Sequence, residues 1–194
     1  MALLTPYPPP QAAEAVQSTF QAFAEDRTFR SPALSKAVGP LQLVGPLQVF
    51  TLGLHDLVAG RDLEASKSTG WLFLVQEGDK VLGSAEAVPT GTGDEHVFSA
   101  FNEGRFVAST ADAIRTARGL PEVSRDGFEP RLLRVPGLYV TALWLHKAVG
   151  MGTGDVLVPL APSPVDAQTG QPVPAFRLLE ELRYKARQAD RSAP

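Results

Sequence analysis

The chain has 194 residues, no cysteine, and 18 Lys+Arg against 21 Asp+Glu, for a net charge of −3 at pH 7. The missing cysteine excludes a disulfide scaffold, thiolate metal centres, iron–sulfur ligation and cysteine catalysis. Net acidity argues against general nucleic-acid binding, which needs a basic footprint.

The length suits one domain, with or without tails. A hydrophobic share of 44% is that of a folded protein. The charged share of 20% lies below the usual ~25%, which leaves less solvating surface and points to a buried interface. Met1-Ala-Leu-Leu-Thr-Pro6 lacks a positive stretch and a long apolar run, so no secretory signal is expected there. No segment approaches the ~20 apolar residues that cross a bilayer. The expectation is a cytoplasmic protein without membrane insertion.

Thr5-Pro-Tyr-Pro-Pro-Pro10 predicts an extended arm over residues 1–10, because proline fixes φ and removes a donor. A helix is expected from Gln11 to Asp26, with Val16, Phe20 and Phe23 as its apolar stripe. Next comes a repeat, Val38-Gly-Pro-Leu-Gln42 and Val44-Gly-Pro-Leu-Gln48. Pro40 and Pro46 confine such a strand to an edge or an extended approach, so the pairing strand is expected from Leu47 to Leu54. Asp62 to Ser68 reads as a short helix stopped by Gly70.

Two strand-like runs, Trp71-Leu-Phe-Leu-Val75 and Lys80 to Val88, flank Gly78-Asp79, which signals a hairpin. Gly91 to Asp94 makes another turn. Glu95 to Phe101 reads as a strand, with Val97, Ser99 and Phe101 on one face and His96, Phe98 and Ala100 on the other. Ser109 followed by Asp112 predicts a capped helix start, and Gly119 with Pro121 its end. One long strand is expected from Arg131 to Lys147, with Pro136-Gly137 as a bulge or break. Val156 to Val158 is a short strand. The tail helix runs from Ala175 to about Gln188, with Phe176, Leu179, Leu182 and Ala186 inward.

Strand runs joined by hairpins, with helices around them, predict an α+β fold. A mostly antiparallel sheet of about four to six strands would carry helices packed on one side. The divisions are the arm at 1–10, the α+β domain at 11–161, a Pro-rich connector at 162–174, and the C-terminal helix and tail at 175–194.

No catalytic constellation emerges. His55, His96 and His146 have no partner at metal-ligand spacing, so no metal site and no cofactor are expected. Gly150-Met-Gly-Thr-Gly154 precedes Asp155 and a strand, not a helix N-terminus, which makes it a hairpin loop and not a phosphate cradle. The stretch Phe98 to Phe106 reads first as core aromatics flanking a turn. That turn could also present Asn102, Glu103 and Arg105 to a partner. Arg134 and Trp144 on the long strand, and Tyr7 on the arm, are of types enriched at interface hot spots, and alternation puts His146 on one face with Arg134 and Trp144 if no bulge intervenes at Pro136-Gly137. Trp144 is equally a core residue by type.

The functional expectation is a non-catalytic protein–protein interaction module that binds another protein chain, as an accessory or structural subunit of a larger assembly. The alternatives are a small-molecule enzyme using scattered residues such as His55, Glu103 and His146, or an acidic immunity- or inhibitor-type protein that binds one partner.

Overall fold

The structure, a computed structural model, describes residues 3–25, 31–91, 95–148, 154–164 and 169–191. The expected turn at 91–94, the glycine loop at 150–154 and the centre of the Pro-rich connector fall largely outside the described residues.

Helix α1 (Pro10–Glu25) begins at the last proline of the arm and buries Ala12, Val16 and Phe20, while Phe23, expected on the same stripe, is exposed. After α2 (Pro32–Ser35), β1 (Leu41–Thr51) starts earlier than expected. Its register shifts between Val44 and Leu47, and Gly45 takes a φ of 56°. Pro46 therefore sits in a bulge, where the ladder asks no hydrogen bond of it. Helix α3 (Leu54–Val58) follows. The helix expected at Asp62–Ser68 is a correction: only Leu63–Ala65 forms a single 3-10 turn, and β2 (Lys67–Glu77) has already begun. Lys67 and Ser68 pair with Thr51 and Phe50 of β1, a long-range ladder that overrides local helix preference.

The Gly78-Asp79 hairpin to β3 (Lys80–Pro89) forms as predicted. The strand β4 (His96–Asn102) corrects the expected alternation. Its register shifts opposite Glu86 and Ala87, so Ser99 bulges and both Phe98 and Phe101 turn toward α1. Their rings lie 6.4 and 5.9 Å from that of Phe20.

Helix α4 (Arg105–Arg118) starts before Ser109, after Gly104 at φ 88°. Ser109 is therefore no N-cap; its Oγ accepts a hydrogen bond from the Ala161 amide at 2.9 Å. Gly119 ends the helix at φ −86°, not in the left-handed region, and α5 (Pro121–Asp126) follows. The expected long strand is a hairpin of β5 (Phe128–Val135) and β6 (Val140–Lys147), with Pro136–Leu138 as its turn. Then come β7 (Val156–Pro159), β8 (Val173–Pro174) and α6 (Ala175–Arg191). Helix α6 buries Ala175, Leu178, Leu179, Leu182 and Ala186, while Phe176, expected inward, is 61% exposed.

The fold is α+β, around one sheet of 8 strands in the order β4-β3-β2-β1-β5-β6-β7-β8. β1 and β5 run parallel, and every other neighbouring pair is antiparallel. Trp71, Phe73 and Val75 pack with α1, and Leu133, Ala142, Trp144 and Leu157 pack with α6. The register puts Trp71, Gln48, Arg131, Trp144 and Leu157 in one row across the sheet, so α1 and α6 lie over the same face. Residues of the opposite parity, including Leu72, Leu74, Leu132, Leu143 and Leu145, pack on Val107, Ile114 and Ala117 of α4. Among the described residues no helix is long and apolar enough to cross a membrane.

The N-terminal arm is docked on its own chain. The Leu4 amide donates to the Phe128 carbonyl at 2.8 Å, Pro6 is buried, and Leu3 packs on the α4 side of the core.

Two features give stability predictions. Tyr139 follows the β5–β6 turn at φ 54° and ψ 31°, a left-handed conformation, with its side chain 86% exposed. Asparagine tolerates that conformation better, so Tyr139→Asn should raise stability by up to about 1 kcal/mol in urea unfolding. The Glu77 carboxylate accepts from the Gly39 and Val38 amides, and these bonds hold its pKa below the ordinary glutamate value. A depressed carboxylate contributes stability that is present above its unfolded pKa and is lost as pH falls through its folded one. Glu77→Gln should therefore lower the melting midpoint at neutral pH, and the gap should close as pH falls below about 4.

Candidate functional site

The cross-sheet row that ends under α1 and α6 is polar in its middle. Gln48 and Arg131 there are half-buried, between β3 and β4, which carry α1, and β7 and β8, which carry α6. A hollow of about 1120 Å³ borders α6, lined by Phe50, Arg131, Trp144, His146, Asp155 and Phe176 among others. A second, of about 980 Å³, borders the arm, lined by Leu4, Pro6, Tyr7, Gln48, Trp71 and His96 among others.

The floor of the larger hollow is pre-arranged. The guanidinium carbon of Arg131 lies 5.0 Å from the ring centre of Phe50 and 5.0 Å from that of Trp144, a cation–π contact with each of two adjoining rings. The Arg131 Nε donates to Glu129 at 2.7 Å. Phe50 and Trp144 themselves meet edge to face at 5.3 Å.

Beside them Asp155 is buried, 5% exposed, and its carboxylate takes three donors. Trp144 Nε1 donates at 2.6 Å, the Lys147 amide at 2.9 Å, and His146 Nδ1 lies at 3.1 Å. An ionised carboxylate only accepts, so the histidine proton sits on Nδ1 and Nε2 is left as the ring's other polar atom. The Asp155 carbonyl also accepts from the Ala175 amide at 2.9 Å, which fixes the start of α6. One residue thus ties β6, β7 and α6 together at the edge of the hollow. Nearby, the Lys147 ammonium donates to Asp126 at 2.9 Å and holds that carboxyl below the ordinary aspartate pKa.

A second buried carboxylate organises the opposite face. Glu86 receives both Arg134 Nη atoms, at 2.8 and 2.6 Å, and Asn102 Nδ2 at 2.9 Å. Ser84, opposite Asn102 in the ladder, has a buried Oγ without a hydrogen-bond partner among the described residues.

The seven residues singled out from the sequence therefore separate. Trp144 and His146 meet on Asp155 in the cleft. Asn102 and Arg134 meet on Glu86, and the hairpin turn puts Arg134 on the face away from Trp144 and His146. Tyr7 stands 93% exposed at the arm. The Glu103 carboxylate accepts from Ser31 Oγ and the Ala33 amide, at the start of α2. Arg105 is exposed in the first turn of α4. His55 is exposed on α3, apart from the Asp155 cluster.

Comparison with known proteins gives no match: no family model, no curated protein and no solved structure. The geometry alone carries the functional argument. Among the described residues no group of three or more His, Asp or Glu side chains is placed to hold a metal ion. What the cleft offers is an aromatic floor, a stacked guanidinium and an anchored imidazole.

Sequence reasoning missed both carboxylate hubs. A usable signal was present for Glu86, a lone charge inside Leu82-Gly-Ser-Ala-Glu-Ala-Val88, because a buried charge requires a partner.

Removing the Asp155 side chain would strand the Trp144 indole N–H and the Lys147 amide in the interior. Asp155→Ala should cost about 3 kcal/mol or more and shift tryptophan emission to the red. Trp144→Phe removes a donor instead of an acceptor and should lose less than Asp155→Ala. Chemical unfolding followed by fluorescence and far-UV circular dichroism checks both.

Proposed function

We propose that the protein is a non-catalytic interaction module, and that a segment of a partner protein enters the cleft between α1 and α6. The observation that carries this reading is the Arg131 guanidinium laid against both the Phe50 and the Trp144 ring on the cleft floor. Arginine and tryptophan dominate binding hot spots when they are held rigid in a pocket, and here ordering them has already been paid for within the fold. The arm supports the same reading in an altered form. Docked on its own chain, it lines the second hollow with Leu4, Pro6 and Tyr7, beside Gln48, whose neighbour in the ladder is Arg131.

A photo-crosslinking residue placed in the host cell at Glu64 or Glu122, exposed positions bordering the larger hollow, tests this. Both sites should give a discrete product with one protein, and Arg131→Ala should diminish it. The same residue at Lys80, exposed in the β2–β3 hairpin, should give none. Products shared by all three positions would contradict the reading.

A second reading, a small-molecule enzyme, has one observation in its favour. Asp155 orients His146 as a carboxylate orients a general base, with Nε2 left for a substrate proton. The residues once grouped with it, His55 and Glu103, do not join it. Under the binding reading, His146→Gln keeps partner capture within a few-fold. Under the enzyme reading, it removes turnover of whatever small molecule the cleft accepts.

A further inference from the structure

Among the described residues, the outward face of α6 packs against no other element. At ~100° per residue, Phe176, Glu180, Tyr184, Arg187 and Arg191 fall within an arc of about 80°, opposite the buried Leu178, Leu182 and Ala186. Phe176 and Tyr184 are each 61% exposed, two large aromatics on one stripe of a polar helix. The ion pairs of α6 use Arg183, with Asp62, and Lys185, with Glu181. Arg177, Glu180, Arg187, Asp190 and Arg191 are exposed and enter no ion pair among the described residues.

The order of charge along this stripe is self-complementary. Acid lies in its first half, at Glu180, and base in its second, at Arg187 and Arg191. A two-fold axis beside Tyr184 sets α6 antiparallel to the α6 of a second copy. Glu180 then faces Arg187 of the partner subunit. Phe176 comes under the guanidinium of the partner's Arg191, and the two Tyr184 rings flank the axis. Each contact occurs twice, as a two-fold interface requires.

We propose that this face of α6 is the docking surface for a second copy of the same chain, forming an antiparallel helix pair. Exposed ion pairs contribute little singly, so the aromatics supply affinity and the charges set direction and register. Because Phe176 also borders the larger hollow, the partner's Arg191 stands at the mouth of the cleft. The contact area of one helix face is small, which places association in the micromolar range and makes it dependent on concentration.

Sedimentation equilibrium of the full chain, from about 1 to 500 µM at low salt, reads the result. The wild type should pass from monomer to dimer within that range. Glu180→Arg alone, or Arg187→Glu alone, sets like charges against each other at both symmetric contacts and should weaken association by about tenfold or more. The double variant, Glu180→Arg with Arg187→Glu, restores both contacts and should recover the wild-type constant. Both positions are solvent-facing, and unchanged far-UV circular dichroism confirms the fold of each variant. A wild type that stays monomeric at 500 µM overturns the proposal, whichever other partner the face might take. A dimer that is indifferent to the single variants, or is not rescued by the double one, overturns it as well.

Discussion

A carboxylate taken out of water must be given donors, and much of the α6 end of this molecule is arranged around meeting that demand at Asp155. Its side chain collects an indole N–H, an imidazole nitrogen and a main-chain amide, and its carbonyl receives the first amide of α6. These bonds orient Trp144, which in turn forms one wall for Arg131. The position of α6, the tautomer of His146 and the floor of the cleft all follow from one buried charge. Glu86 plays the matching part on the opposite face, where it holds β3, β4 and β5 together through Arg134 and Asn102.

The sheet explains why a cleft exists at all. Helix α1 packs over β3 and β4 at one end, and α6 over β7 and β8 at the other. Between them the floor presents Gln48 and Arg131 instead of leucine or valine, so no third helix is called for by unburied apolar surface. A polar gap flanked by aromatics on a rigid sheet is a common way to expose recognition residues without exposing the core. The docked arm narrows one side of that gap. This changes how the Pro-rich N-terminus should be read: its removal would also remove Leu3 from the core and the Leu4 bond to Phe128.

How much of this was legible in the sequence differs by element. The Val16 and Phe20 stripe, the Gly78-Asp79 hairpin and the α6 leucines announce themselves through spacing, because local periodicity and burial there agree. The parallel pairing of β1 with β5 does not, since nothing near Gln48 encodes a partner at Arg131. The same long-range ladder turned the expected helix at Asp62 into a turn and a strand. Ser109 misled because a serine before an apolar run has the chemistry of a cap, whereas the chain turns earlier, at Gly104, and the hydroxyl serves Ala161. Ser99 misled through a bulge that alternation cannot foresee. The site was legible in part: Trp144 and His146 stood out by residue type, but the hub that joins them looked like the end of a glycine loop.

The account stands or falls on Asp155 as the tie between the β5–β6 hairpin, β7 and α6. Hydrogen–deuterium exchange of the wild type and of Asp155→Asn reads this directly, because the amide variant keeps the shape of the side chain while losing the charge and part of its accepting capacity. Protection should fall at Trp144 to Lys147 and in the first turn of α6, and should hold in β2 and β3. Exchange that is unchanged at the α6 start, or that rises equally across the whole sheet, would contradict it.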